Sequence, residues 1–383
     1  MPHLHPGWLG LLVIAVATIG GRSPAFHPAN MHGHTGTTAL NAPGFRVERL
    51  AGNVYLFSPD AIHGFGNDAN SVAVIGDSGV LMVDAQFSAA STRAVLDSLR
   101  RITRQPVRWV VNTHWHDDHI AGNRAYRNAY PNAEFIAHRY MREDLETEGA
   151  RNRRSFSGSI AGTADFLRAK ISKREGIDGK PTDSLEVAAF QSYIASIERF
   201  AAESAQHVVV PPTRVFDDSL KLSVGGTLVV LRYPGRAHTR GDVVVHLPVH
   251  RIAAIGDVVL APVPFVGTTS YPREYAGTID NIIALSASII VPGHGQPMRS
   301  TNHLRNVQRM LQSITTQVDS MRRGGDSLST VRRNVKLDEF RALFAGDDRL
   351  RNELFDNYVV MSAIPKTFRD GAAADSAAAR GSR

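Results

Sequence analysis

His114-Trp115-His116-Asp117-Asp118-His119 packs three imidazoles and two carboxylates into six residues, directly after the apolar, β-branched run Val107–Val111. Such a run predicts a buried strand, so the six residues fall on the loop at its carboxyl end, where open α/β sheets place their sites. Burying this many polar side chains without a metal would be costly, and their density is that of metal-ligand chemistry. His114 and His116, two apart on extended chain, point the same way, while Asp118 and His119 lie on the turn that follows and face a neighbouring position. One short loop can therefore feed two ions.

Each ion needs further ligands, and the second half of the chain offers three at the ends of predicted strands. His238 stands in Pro234-Gly235-Arg236-Ala237-His238-Thr239-Arg240-Gly241-Asp242, Asp257 in Ile255-Gly256-Asp257, and His294 in Pro292-Gly293-His294-Gly295. A nearby glycine lets the backbone turn while each ligand points inward. The 383 residues contain no cysteine, which excludes disulfides, thiolate ligands, a thiol nucleophile and a lipidated cysteine. Any metal is held by nitrogen and oxygen. Zinc is the default for such ligands, with iron or manganese also suited.

The formal net charge of +7 is spread over many arginines, with knots at 151–154, 322–323 and 332–333. No aromatic residues interleave with them, so they are expected to be solvated helix faces rather than a nucleic-acid surface. Residues 8–21 form an apolar stretch of signal-peptide length, too short for a membrane-spanning helix, followed by small residues at Ser23-Pro24-Ala25. The expectation is a signal peptide over 1–25, a flexible leader over 26–44, an exported (periplasmic or secreted) protein and no stable membrane anchor after cleavage.

Strands are predicted at 54–57 and 71–85, the latter turning at Gly76-Asp77-Ser78-Gly79. Val95, Leu96, Leu99 and Ile102 then mark a helix leading to the Val107 strand, a parallel crossover. A helix over 121–130 and a strand over 134–137 follow. Residues 140–206 form a helical insertion whose clearest apolar face is Phe190, Tyr193, Ile194, Ile197 and Phe200. Strands return at 220–223, 227–232, 242–247, 251–255 and 288–291. Beyond 300, Leu304, Val307, Leu311, Ile314, Val318 and Met321 make an apolar seam on a long helix. That helix, 303–321, is expected to dock within the chain, with pairing between subunits as the alternative. A helical extension over 301–365 and a disordered tail over 366–383 complete the expected plan.

In order along the chain, His114, His116, Asp118, His119, His238, Asp257 and His294 resemble the ligand pattern of the metallo-β-lactamase superfamily. The resemblance spans about 45–300. It implies an α/β fold, the αββα sandwich, carrying here the helical insertion and C-terminal helices. It implies one ion on His114, His116 and His238, a second on Asp118, His119 and His294, and Asp257 bridging both. Asp84, ending a strand, matches the acidic position that orients a ligand histidine. Two zinc ions about 3.5 to 4 Å apart would hold a bridging hydroxide as nucleophile, with Asp118 orienting it and relaying a proton.

The implied function is an exported zinc hydrolase opening an amide or ester carbonyl of a small molecule, most concretely a β-lactam. The missing cysteine excludes one lactamase subclass, and another generally lacks a bridging aspartate. Asp257 therefore also admits a lactonase, thioesterase or phosphodiesterase. Against one lactonase group, which carries a tyrosine three residues after the bridging aspartate, stands Leu260. The same ligands on iron would suit an oxidoreductase, and a metal-stabilised binding module is the non-enzymatic alternative. Candidate substrate contacts are His63 and Phe65 on a flap between the first strands, and Tyr271 and Tyr275 after Asp257. Asp117 is expected to be an outer or solvated residue, and Trp115 to pack beneath the loop.

Overall fold

The computed structural model describes residues 44–59, 68–204 and 209–381. The expected signal peptide and leader, apart from Gly44, lie outside the described residues, as do the flap residues His63 and Phe65. The fold is mixed α/β with two sheets and many helices, and the chain divides into two compact units.

Residues 44–216 and 220–230 make one unit. Its sheet runs in sequence order from β1 (Phe45–Ala51), β2 (Val54–Pro59), β3 (Ser71–Gly76) and β4 (Gly79–Val83) to β5 (Val107–Val111), β6 (Glu134–His138) and β7 (Arg214–Phe216). The first three pairings are antiparallel; from β4 onward the strands are parallel. The switch comes where α1 (Ala89–Ile102) supplies the crossover, burying Val95, Leu96 and Leu99. Ser88 caps that helix by accepting from Ser91 N–H at 3.0 Å. The register sets Val83 beside Val111, so the chain leaves β4 and β5 at the same edge. After β5 come α2 (Asp117–Ile120) and α3 (Asn123–Ala129).

The insertion is three helices, α4 (Tyr140–Glu146), α5 (Glu148–Lys173) and α6 (Ser184–Ser204). Phe190, Tyr193, Ile194, Ile197 and Phe200 are all buried along α6. Phe200 stacks on Phe87 at 4.4 Å between centroids and meets Phe156 of α5 edge-on at 5.3 Å, which seats the helix pair on the segment after β4. Strands β8 (Ser219–Val224) and β9 (Thr227–Arg232) turn through Gly225-Gly226.

The other unit comprises 217–219 and 231–381. In its sheet β11 (Ile252–Ala254) pairs antiparallel with β10 (Val244–Leu247) and parallel with β12 (Ile289–Val291). Helix α7 (Pro272–Ile283) connects β11 to β12, with Pro272 in its first turn, where the missing N–H costs nothing. Then follow α8 (Asn302–Arg323), α9 (Leu328–Asn334), α10 (Asp338–Phe344), α11 (Arg349–Phe355), a π-turn at Asp356–Val360 and α12 (Ala363–Gly381). Leu304, Val307, Leu311, Ile314 and Val318 are buried on α8, which packs on α7 and α12. That seam is therefore docked within the unit.

The tail also differs from the expectation of disorder. Residues 363–381 are helical because alanine has the highest helix propensity and the turn is anchored. Lys366 pairs with Asp370 at 2.7 Å, Arg273 donates to Thr367 O at 3.1 Å, and Arg322 pairs with Asp375. Among the described residues no helix is long and apolar enough to cross a membrane.

Candidate metal centre

Parallel pairing of β4 with β5 sets Asp84 beside the ligand loop, where Asp84 N–H donates to Val111 O at 2.8 Å. Asp84 holds a left-handed backbone, φ +60°, which an aspartate tolerates better than most residues. Its carboxylate is nearly sealed from solvent and accepts from Thr113 N–H at 2.7 Å and from the Thr113 hydroxyl at 2.8 Å. His119 Nδ1 lies 2.8 Å from the same carboxylate. Carboxylates only accept, so His119 carries its proton on Nδ1 and presents the Nε2 lone pair. The Thr113 hydroxyl has one hydrogen, given to Asp84, so at His114 Nδ1, 3.1 Å away, it can only accept. His114 is thereby also held with Nε2 available. One carboxylate fixes the tautomers of two histidines, one of them through a hydroxyl relay.

The rest of the loop is laced down. Asn112 donates to His119 O at 3.1 Å and exchanges bonds with Asn123, while Ala85 N–H donates to His119 O at 2.9 Å. Trp115 is buried beneath the loop with Ile120, Ala137, Met141 and Leu145. Asp117 takes the outer of its two expected places rather than the solvated one: it is buried and paired with Arg153 of α5 at 2.9 Å. Burial pushes its carboxyl up to about 6, with the Arg153 charge and hydrogen bond acting against that rise.

The second unit builds its donors by the same device. Parallel pairing of β11 with β12 sets Ala254 beside Val291, and Gly293 N–H donates to Gly256 O at 2.7 Å just beyond the strand ends. Asp257 and His294 leave from that edge. Asp257 Oδ2 lies 3.7 Å from His238 Nε2 and 3.8 Å from His294 Nε2, so one oxygen is almost equidistant from two nitrogen donors. Gly295 beside His294 has φ +97°, and a Cβ there would fall 1.9 Å from Ala261 O, so only glycine fits. The turn after His238 is locked by Asp242, which accepts from Thr239 N–H at 3.0 Å and from its hydroxyl at 2.6 Å. Burial raises the Asp242 carboxyl to about 7 against those hydrogen bonds.

Among the described residues two groups of side chains could hold a metal ion: His114, His116 and His238; and Asp118, His119, Asp257 and His294. Only His116 among the seven is more than slightly exposed. Nitrogen and carboxylate oxygen donors, with His114 and His119 held for Nε2 ligation, suit zinc, iron or manganese. Tyr275 is buried and its hydroxyl donates to Asp257 O at 3.4 Å, beside the ligand turn. Tyr271 is partly exposed, flanked by Arg236 at 5.2 Å and Lys366 at 5.3 Å.

The metallo-β-lactamase superfamily model matches residues 64–294, more than half of the chain. The chain belongs to the metallo-β-lactamase superfamily. It is 27% identical over 239 residues to a linear primary-alkylsulfatase of a Pseudomonas species, covering 61% of this chain and 42% of that protein. It is 22% identical over 256 residues to a type 2 metallo-β-lactamase of a Bacillus species, covering 65% and 76%. The chain thus spans less than half of the first relative. Among solved structures, a metallo-β-lactamase from Pontibacter korlensis is 18% identical, over 70% of this chain and 99% of that one, with a TM-score of 0.48. Both of these relatives carry the names of hydrolases.

Proposed function

We propose that this superfamily member is an exported two-zinc hydrolase that cuts an ester or amide of a small molecule, with an ester as its first substrate class. The observation carrying the reading is the Asp257 oxygen equidistant from His238 and His294, each in a different donor group. A carboxylate so placed could be shared by two ions. The chain has no cysteine, so no thiolate could share that position. A β-lactam is the second carbonyl substrate. A sulfate ester is a separate reading, favoured by the identity to the alkylsulfatase.

When bound, the ions supply Lewis-acid polarisation of the scissile group and acidify an attacking water. The chain's own residues do the rest. Asp118, whose Oδ2 lies 3.4 Å from His119 Nε2, orients that water, takes its proton and delivers it to the departing oxygen or nitrogen. Asp84 and Thr113 hold His119 and His114 in ligating tautomers, and Tyr275 fixes the Asp257 turn. Burial of the donors keeps bulk water from competing for them.

The test is hydrolysis by zinc-loaded protein of an aryl ester, a thioester, a lactone, a chromogenic cephalosporin and a linear alkyl sulfate, with Asp118→Ala as blank. Ester turnover lost in the variant is the expected result. Cephalosporin or sulfate turnover without ester turnover would overturn the ester assignment. Export is tested separately, by sequencing the amino terminus of protein recovered outside the cytoplasm; an intact Met1 there would refute cleavage after residue 25.

A further inference from the structure

Phe265 lies beside a metal donor, and the fold holds it there from three sides. Its ring centroid is 5.4 Å from that of His238, tilted by 58°. On another side it meets buried Tyr358 of the π-turn at 4.6 Å. Beneath it is Gly267, where a Cβ would stand 2.8 Å from the ring, so the ring folds back over its own loop. The loop is tied at both ends. Val266 N–H donates to Tyr358 O at 3.2 Å, Thr269 donates to His238 O at 3.2 Å, and Tyr271 N–H donates to Ala237 O at 2.7 Å. For all this support Phe265 keeps part of its surface exposed. A large apolar ring preorganised beside a ligand histidine and left partly open is a surface built to be covered.

We propose that Phe265 is an apolar wall of the substrate site, braced by Tyr358 of the C-terminal extension, and that it receives an alkyl or aryl group attached next to the bond that is cut. The assignment rests on the two-metal hydrolase reading only in taking His238 as a ligand. It gives the C-terminal helices a direct part in specificity, because the π-turn carrying Tyr358 lies between α11 and α12.

The test uses n-alkyl carboxylates from acetate to octanoate as probes, titrated calorimetrically into the full, zinc-loaded chain without any turnover. In the wild type each added methylene should tighten binding about fourfold over the first few carbons, the increment of a buried CH2. In Phe265→Ala the series should be flat while zinc content stays at two per chain; Phe265→Leu should keep an intermediate slope, and Tyr358→Leu should weaken it. An unchanged slope in Phe265→Ala, or no carboxylate binding at any length, would overturn the proposal. So would a loss of zinc in Phe265→Ala with binding reduced equally at every length, which would make the ring a prop for His238 alone. A graded series in protein inactive on every ester would refute the ester assignment and leave the wall standing.

Discussion

Asp84→Asn tests the proton accounting at the centre of the ligand loop. The side chain is isosteric and asparagine tolerates φ +60°, so the strand end keeps its path. Thr113 N–H, 2.7 Å away, can only donate, which assigns the amide oxygen to that side. The amide NH2 then faces both the Thr113 hydroxyl and His119 Nδ1, each 2.8 Å from the original oxygen. To accept from it, His119 must move its proton to Nε2, and the Thr113 hydroxyl must turn its hydrogen toward His114. Both histidines lose the lone pair that would ligate. Loss of the partner behind a ligand histidine weakens metal binding by roughly 10- to 100-fold, about 1.4 to 2.8 kcal/mol. His114 and His119 belong to different donor groups, so both ions should weaken by that factor. Thr113→Val removes only the relay and should weaken one. Zinc titration against a competing chelator reads the two steps separately. If both variants shift the same single step, or Asp84→Asn shifts neither, the relay through Thr113 is wrong.

Gly295→Ala should cost ~1–3 kcal/mol for the backbone conformation alone, and more for the overlap with Ala261 O; chemical denaturation measures it, and a loss below 0.5 would contradict the geometry. Arg153→Met leaves the buried Asp117 carboxylate without its partner, both side chains being mostly covered, and should cost about 3 kcal/mol in metal-free protein. Adding Asp117→Asn should restore more than half; no recovery would refute pairing as the cause. Arg273 donates to both Asp319 oxygens and its hydrogen bond holds that carboxyl below its ordinary 3.8. A depressed carboxyl stabilises the fold above the unfolded value and ceases to as pH falls through the folded one. The melting-temperature gap between wild type and Asp319→Asn should therefore be full at pH 6 and close below pH 4; a gap independent of pH would exclude the ion pair as its source.

The strand-then-ligand arrangement was legible because it is local: an apolar β-branched run, then donors, with glycine where the chain must turn. All seven candidate ligands stand at such places. What could not be read depends on residues far apart in sequence. For Asp117 the sequence left an outer and a solvated place open, because nothing near it names its partner Arg153, 36 positions on and inside the insertion. Thr113 looks like an ordinary strand-end threonine until Asp84 is set beside it by the parallel register. Phe265 and Tyr358 have no shared pattern at all. The tail misled in the opposite way, since Ala, Ser and Gly together suggest disorder while alanine alone favours helix, and the anchoring Arg273 and Arg322 lie on α7 and α8.

The insertion and the ligand loop together divide six side chains into two kinds of work. His114, His116, Asp118 and His119 present donors. Trp115 and Asp117, the two that do not, are both held by the insertion. Trp115 lies under the amino-terminal turn of α5, where a Cβ on Gly149 would be 3.3 Å from its ring, and Asp117 meets Arg153 one turn further along. Arg153 also donates to Leu145 O at 2.9 Å, so the same guanidinium ties the carboxyl end of α4 to the loop. A four-residue helix such as α2 is too short to hold itself in water. Its place is set by what grips its non-ligand side chains. The insertion is therefore a mould for the loop, and variation in its first two turns would retune the donor geometry without touching a donor.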